Sequence, residues 1–184
     1  MSSKINFLDI IEENKGNIKK IKNIITENVS LVNKEIKIYN SDSESLIYSP
    51  LTYCLEKKNS ELSIFLIEKG ANINYKTSPK EDYPLLIACR NGLEEVVEKL
   101  LQKDNIDINC LNKNNETVYS ILVANKNISI NKLIMDYIKK KSNKKEKKIH
   151  DDKRKIITKN ISFDLSLQYK YRNIKFGKYI FFKL

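Results

Sequence analysis

The sequence predicts an all-α fold: an α-solenoid of helix–turn–helix repeats followed by a basic tail. Three observations carry this. Similar segments open at positions 49, 83 and 117, a spacing of 34 residues twice over, and a fixed period is the signature of stacked repeats. Apolar residues recur at i, i+3 and i+4 in the second half of each segment. Only 4 Gly and 3 Pro occur in 184 residues, which argues against a turn-dense β fold. With 41% hydrophobic and 31% charged residues, the chain is too apolar for wholesale disorder and too charged for a membrane protein.

A weak first copy spans Phe7–Ile25 and ends at Val32-Asn33. A long linker, Lys34–Tyr48, follows. The first full copy runs Ser49–Asn74, the second Tyr83–Asn109 and the third Thr117–Met135. Ser49 and Thr117 are suited to cap a helix, and Pro50 and Pro84 to occupy its first position. Each first helix is short, about two turns, with small residues such as Cys54, Ala88 and Cys89 facing inward. Gly92 separates the two helices of its copy. The second helices show apolar residues at i, i+3 and i+4: Leu62, Phe65 and Leu66, then Val96 or Val97 with Leu100 and Leu101, then Ile130, Leu133 and Ile134. Gly70 is placed for a left-handed C-cap.

These segments resemble ankyrin repeats, whose pattern opens Thr-Pro-Leu-His-x-Ala-Ala, passes a Gly and ends Leu-Leu-x-x-Gly-Ala-Asp-Ile-Asn. Ser49-Pro50-Leu51, Pro84-Leu85 with Ala88, Asn91-Gly92, Val96-Val97, Leu100-Leu101 and Gly70–Asn74 stand at matching positions. The resemblance covers roughly residues 5–140, with the first copy as an N-terminal cap. It departs from the pattern in several places. The His of the opening is Thr52, Leu86 and Ser120 here. Tyr83 replaces the capping Thr, with Asp82 as a candidate substitute. Val118 replaces Pro, and Leu122 a small residue. One extra residue precedes Asp107-Ile108-Asn109. Modest stability and an irregular stack are expected.

The resemblance implies a non-catalytic module that binds a partner protein through the concave face of the stack. The family's variable positions fall on Leu46, Tyr48, Glu56 and Lys57, then Lys80, Asp82, Arg90 and Asn91, then Lys113, Asn114, Glu116 and Asn125. Tyr48 and Arg90 stand out, because aromatic and Arg side chains are enriched at binding hot spots. No cofactor or metal is implied, and a monomer is expected.

Charge divides the chain. Residues 1–138 carry 18 Lys+Arg against 19 Asp+Glu, whereas residues 139–184 carry 16 against 4. The organisation expected is a capping repeat and linker at 1–40, repeats at 41–140 and a basic tail at 141–184. Within the tail, Ile161–Tyr171 alternates apolar and polar residues, which makes 161–182 a candidate β-hairpin. Its lysines and aromatics suggest the alternative function, contact with RNA or DNA. Three cysteines without a C-x-x-C pair give no disulfide framework or zinc site. The one histidine, His150, lies in the basic tail, so a Cys–His or Ser–His pair would have to borrow it from there. No phosphate-binding Gly-rich motif occurs, so no enzyme is expected. No apolar run has the length of a signal peptide or membrane helix. An intracellular, cytoplasmic location is expected, with the lysine run as a candidate nuclear signal.

Overall fold

A computed structural model describes residues 6–144 and Lys155. The chain divides into two compact units, Met1–Met135 and Asp136–Leu184. In the first, helices α1 (Phe7–Glu13) and α2 (Ile18–Glu27) are followed by a 3-10 turn at Val29–Asn33 and strands β1 (Ile36–Tyr39) and β2 (Ser45–Tyr48). Then come α3 (Pro50–Glu56), α4 (Ser60–Glu68), α5 (Pro84–Arg90), α6 (Glu94–Leu101) and α7 (Val118–Asn125). Residues 128–135 are helical and close the unit. In the second unit, residues 136–144 are helical; there the Lys141 ammonium lies 5.4 Å from the Tyr137 ring. The candidate hairpin at 161–182 lies outside the described residues.

The helices form two rows. Inner helices α3, α5 and α7 pack successively on one another, and outer helices α2, α4 and α6 do the same. Two of the three inner helices, α3 and α7, start where a reciprocal cap dictates. The Ser49 hydroxyl accepts from the Thr52 amide at 3.2 Å, and the Thr52 hydroxyl accepts from the Ser49 amide at 2.8 Å. Thr117 and Ser120 repeat this reciprocal pair at 3.2 and 2.9 Å. The hydroxyls that replace the pattern's histidine therefore close a capping box instead of weakening the turn. At α5 the expectation fails. Tyr83 makes no side-chain cap bond, and Asp82 does not substitute, because its carboxylate is engaged elsewhere.

The turn between the paired helices needs a left-handed residue in every copy. Gly92 supplies it at φ 70°, while Lys58 and Lys126, 34 residues to either side, adopt φ 55° and 53°. Small or apolar side chains fill the space between the rows. Cys54, Ala88 and Cys89 are buried as expected, with Leu51, Leu62, Leu66, Val96, Val97 and Leu100.

Asparagines staple neighbouring copies. The Asn33 side chain donates to the Gly70 carbonyl at 3.1 Å and accepts from the Asn72 amide at 2.7 Å. Asn74 repeats the pattern on Asn105 and Asp107 at 2.7 and 3.0 Å. On the other side of the turn, Asn91 donates to the Leu55 carbonyl at 3.0 Å, and Asn125 to the Arg90 carbonyl at 3.1 Å. These bonds give four backbone carbonyls a donor, and two backbone amides an acceptor, from the adjacent copy.

The linker is the main surprise. Residues 34–48 form an antiparallel hairpin, with Ile36 opposite Tyr48 and Tyr39 opposite Ser45, so the fold is a helical stack with a small strand element. The alternation Ile36-Lys37-Ile38-Tyr39 is a strand signal that the helical periodicity overshadowed.

Candidate binding face

The inner face is built from β2, the tips of the loops between copies, and the ends of α3, α5 and α7. Asparagine chemistry shapes the tips. The Asn40 side-chain carbonyl accepts from the amides of Asp42 and Glu44 at 3.1 and 2.8 Å, with Ser43 left-handed. Asn112 does the same for Asn114 and Glu116 at 3.0 and 2.9 Å, with Asn115 left-handed. Backbone bonds link successive tips, Ile47 with Ser78 at 2.9 and 3.0 Å and Lys113 with Lys80 at 3.1 Å.

Two neighbouring clusters differ sharply. The first is aromatic. The Tyr48 ring meets Tyr53 edge to face, with centroids 6.3 Å apart at 73°. Both are half-buried, and Leu46 on the same strand is too. The Lys57 ammonium sits 5.6 Å from the Tyr53 ring. Burial, then the charges of Glu56 and Asp82, raise the Tyr48 phenol above its ordinary pKa. It is therefore a neutral hydroxyl at physiological pH.

The second cluster is ionic. Asp82 is 2% exposed. Its carboxylate accepts two bonds from the Arg90 guanidinium, at 2.9 and 3.1 Å, and one from Asn112 at 2.7 Å. Arg90 and Asn112 also donate to Glu116, at 2.8 and 2.7 Å. Burial opposes the charge of Arg90, but the hydrogen bonds and charges of Asp82 and Glu116 outweigh it and hold its pKa above the ordinary value. A paired, fully hydrogen-bonded buried charge is tolerated where a lone one is not.

The structure thus sorts the twelve sequence-predicted positions. Leu46, Tyr48, Glu56, Lys57, Lys80, Lys113 and Asn114 present side-chain surface. Asp82, Arg90 and Glu116 bond to one another or to Asn112, and Asn91 and Asn125 bond to the preceding copy. Two aromatics were not anticipated. Tyr53 shares a helical face with Glu56 and Lys57, at i+3 and i+4, which was a usable signal. Tyr39, 64% exposed, stands on the outward side of the β1 alternation.

The cysteines are inert here. Burial pushes the thiols of Cys54, Cys89 and Cys110 up to about 12, so each is a protonated core residue. Among the described residues, no group of three His, Cys, Asp or Glu side chains is placed to hold a metal ion. No described helix is long and apolar enough to cross a membrane.

Comparison with known proteins agrees with this geometry. A family model for ankyrin repeats matches in three copies over residues 51–148. The crystal structure of EF0377, an ankyrin repeat protein, is similar in fold at TM-score 0.52 and 22% identity. The match covers 71% of this chain, which spans 60% of the length of that one. No curated protein matches the sequence significantly. With three family copies covering more than half of its length, this chain belongs to the ankyrin repeat family.

Proposed function

We propose that this chain is a non-catalytic module that binds a partner protein through the inner face of its repeats, anchored on the tyrosines beside the hairpin. Ankyrin repeats generally serve as protein–protein interaction modules. The observation that carries the reading here is the contrast between the two clusters. The ionic cluster satisfies itself, so its groups have little to gain from a partner. The Tyr48–Tyr53 pair keeps ring surface in water, and rigid aromatic surface contributes strongly to binding when covered. Lys57 lies against that pair, and the exposed Lys80, Lys113 and Asn114 at the successive tips add polar surface, where charges tune specificity and on-rate more than affinity.

A photo-crosslinking phenylalanine analogue placed at Tyr48 in the native cell tests this. It should capture a protein that the same analogue at Gln102, on the outer row, does not. Replacing Tyr48 and Tyr53 by Ala should then weaken that partner by about tenfold to a hundredfold without loss of helicity. Capture from Gln102 alone would place the interface on the outer row and overturn the proposal.

A further inference from the structure

The outer row carries a second surface, distinct from the tyrosine face. Helix α6 has the ordinary pattern of a surface helix: Val96, Val97 and Leu100 are buried, and Glu94, Glu95 and Glu98 face water. Helix α4 departs from it. Leu62, Ser63, Leu66 and Ile67 face the core, yet Ile64 and Phe65 stand on the opposite side and are only half-buried. Apolar side chains on a helix are normally covered on whichever side they stand. This one is covered on one side.

That uncovered side borders two adjoining depressions, of about 330 and about 440 Å³, which share Ser60 and Glu95 in their walls. Their apolar surface comes from Ile64 and Phe65 in the first and Leu93 and Leu133 in the second. Their rim is acidic. Glu61 and Glu68 rise from α4, three or four residues from the apolar pair, and Glu94, Glu95 and Glu98 rise from α6. Lys22 is the one basic side chain among the described lining residues. The Phe65 ring already attracts cations: the ammonium groups of Lys22 and Lys69 lie 5.6 and 5.5 Å from its centroid.

We propose that this groove between α4, α6 and the helical residues 128–135 docks a basic amphipathic helix of another protein. The occupant's apolar stripe covers Ile64, Phe65, Leu93 and Leu133, and its Lys and Arg side chains meet the glutamate rim. Charge complementarity selects a basic occupant: Glu61 pairs with Lys22 at 2.7 Å and Glu68 lies 3.7 Å from Lys99, but an acidic segment would still meet the exposed Glu94, Glu95 and Glu98. The half-buried apolar floor separates this site from a merely solvated charged face, because it rewards a helix with an apolar stripe in the i, i+3, i+4 register.

The test uses the full chain and two fluorescent peptides of about 18 residues. One places Leu at i, i+3, i+4 and i+7 with Lys elsewhere. The other has the same composition with the leucines scattered. By anisotropy at physiological salt, the first should bind about tenfold more tightly than the second. Replacing Glu94, Glu95 and Glu98 together by Gln should weaken the first peptide by a similar factor. These side chains are exposed, and the loss of Glu94 and Glu95 from the first turn of α6 should lower the melting temperature by only a few degrees, leaving the stack folded. Tyr48→Ala should leave the peptide's affinity unchanged, which separates this site from the tyrosine face. Equal binding of the two peptides, or undiminished binding to the Gln variant, would overturn the proposal.

Discussion

Helices α5 and α7 occupy the same register, 34 residues apart, and differ in how much water they see. In α5 every residue from Pro84 to Cys89 is buried. In α7, Tyr119 and Val123 are 46% and 79% exposed, whereas their counterparts Leu85 and Cys89 are 1% and 0% exposed. Both helices are apolar, α5 opening on Pro84 and α7 on the Thr117 cap. Helix α5 lies between α3 and α7, whereas α7 packs on α5 alone among the described inner helices. In a stacked repeat, burial is therefore set by the next copy rather than by the helix's own pattern.

The sharpest way to break this comparison is to place one carboxylate at the two equivalent positions. Cys89→Asp puts an unpaired charge in the closed interior and should cost about 3–5 kcal/mol, enough to unfold much of a domain of ordinary stability. Val123→Asp should stay within about 0.5 kcal/mol of wild type. Urea denaturation of the two variants checks this, and similar losses would show that α7 is covered by a further element.

Alkaline titration is a milder probe. Each buried thiol holds its proton up to about pH 12 when folded, but releases it near its ordinary value when unfolded. Stability contributed by these groups is intact below about pH 8.5. It should fall as pH rises from there towards 12, by about 1.4 kcal/mol per pH unit for each fully protected thiol. Replacing Cys54 and Cys89 by Ala should flatten that slope. An unchanged slope would mean the thiols reach solvent in the native state.

The smallest effect concerns the turns. Lys58 and Lys126 hold the left-handed conformation that Gly92 adopts without strain. Lys58→Gly and Lys126→Gly should each stabilise the stack by about 0.5–1 kcal/mol, as relief of the left-handed penalty exceeds the entropy cost of glycine. Thermal melts measure it. A lower melting temperature in both variants would show that the lysine side chains contribute more than their backbone costs.

Much of the fold was legible in the residues because its determinants are local and periodic. The pairs Ser49 with Thr52 and Thr117 with Ser120 sit three apart, the spacing a reciprocal cap requires. The inward position of Cys54, Ala88 and Cys89 followed from the period alone. The β1–β2 hairpin was missed because its alternation is only four residues long and stands where the repeat pattern predicts loop. The binding face was less legible still. Variable positions mark where an ankyrin repeat can touch a partner, but not which polar groups are already occupied within the stack.

By itself, the sequence determined the repeat length, the helix starts, the turn positions and the small buried side chains, because each rests on contacts within a few residues or on the period. The tertiary structure decided which charges are available. Asp82, Arg90, Asn112 and Glu116 come from four points along 35 residues and meet only once neighbouring copies stack. The same stacking leaves Tyr48 and Tyr53 half-covered on one face and Ile64 and Phe65 half-covered on the other. Packing between copies consumes or exposes a side chain according to where the adjacent copy lies, and no spacing along the chain records that position.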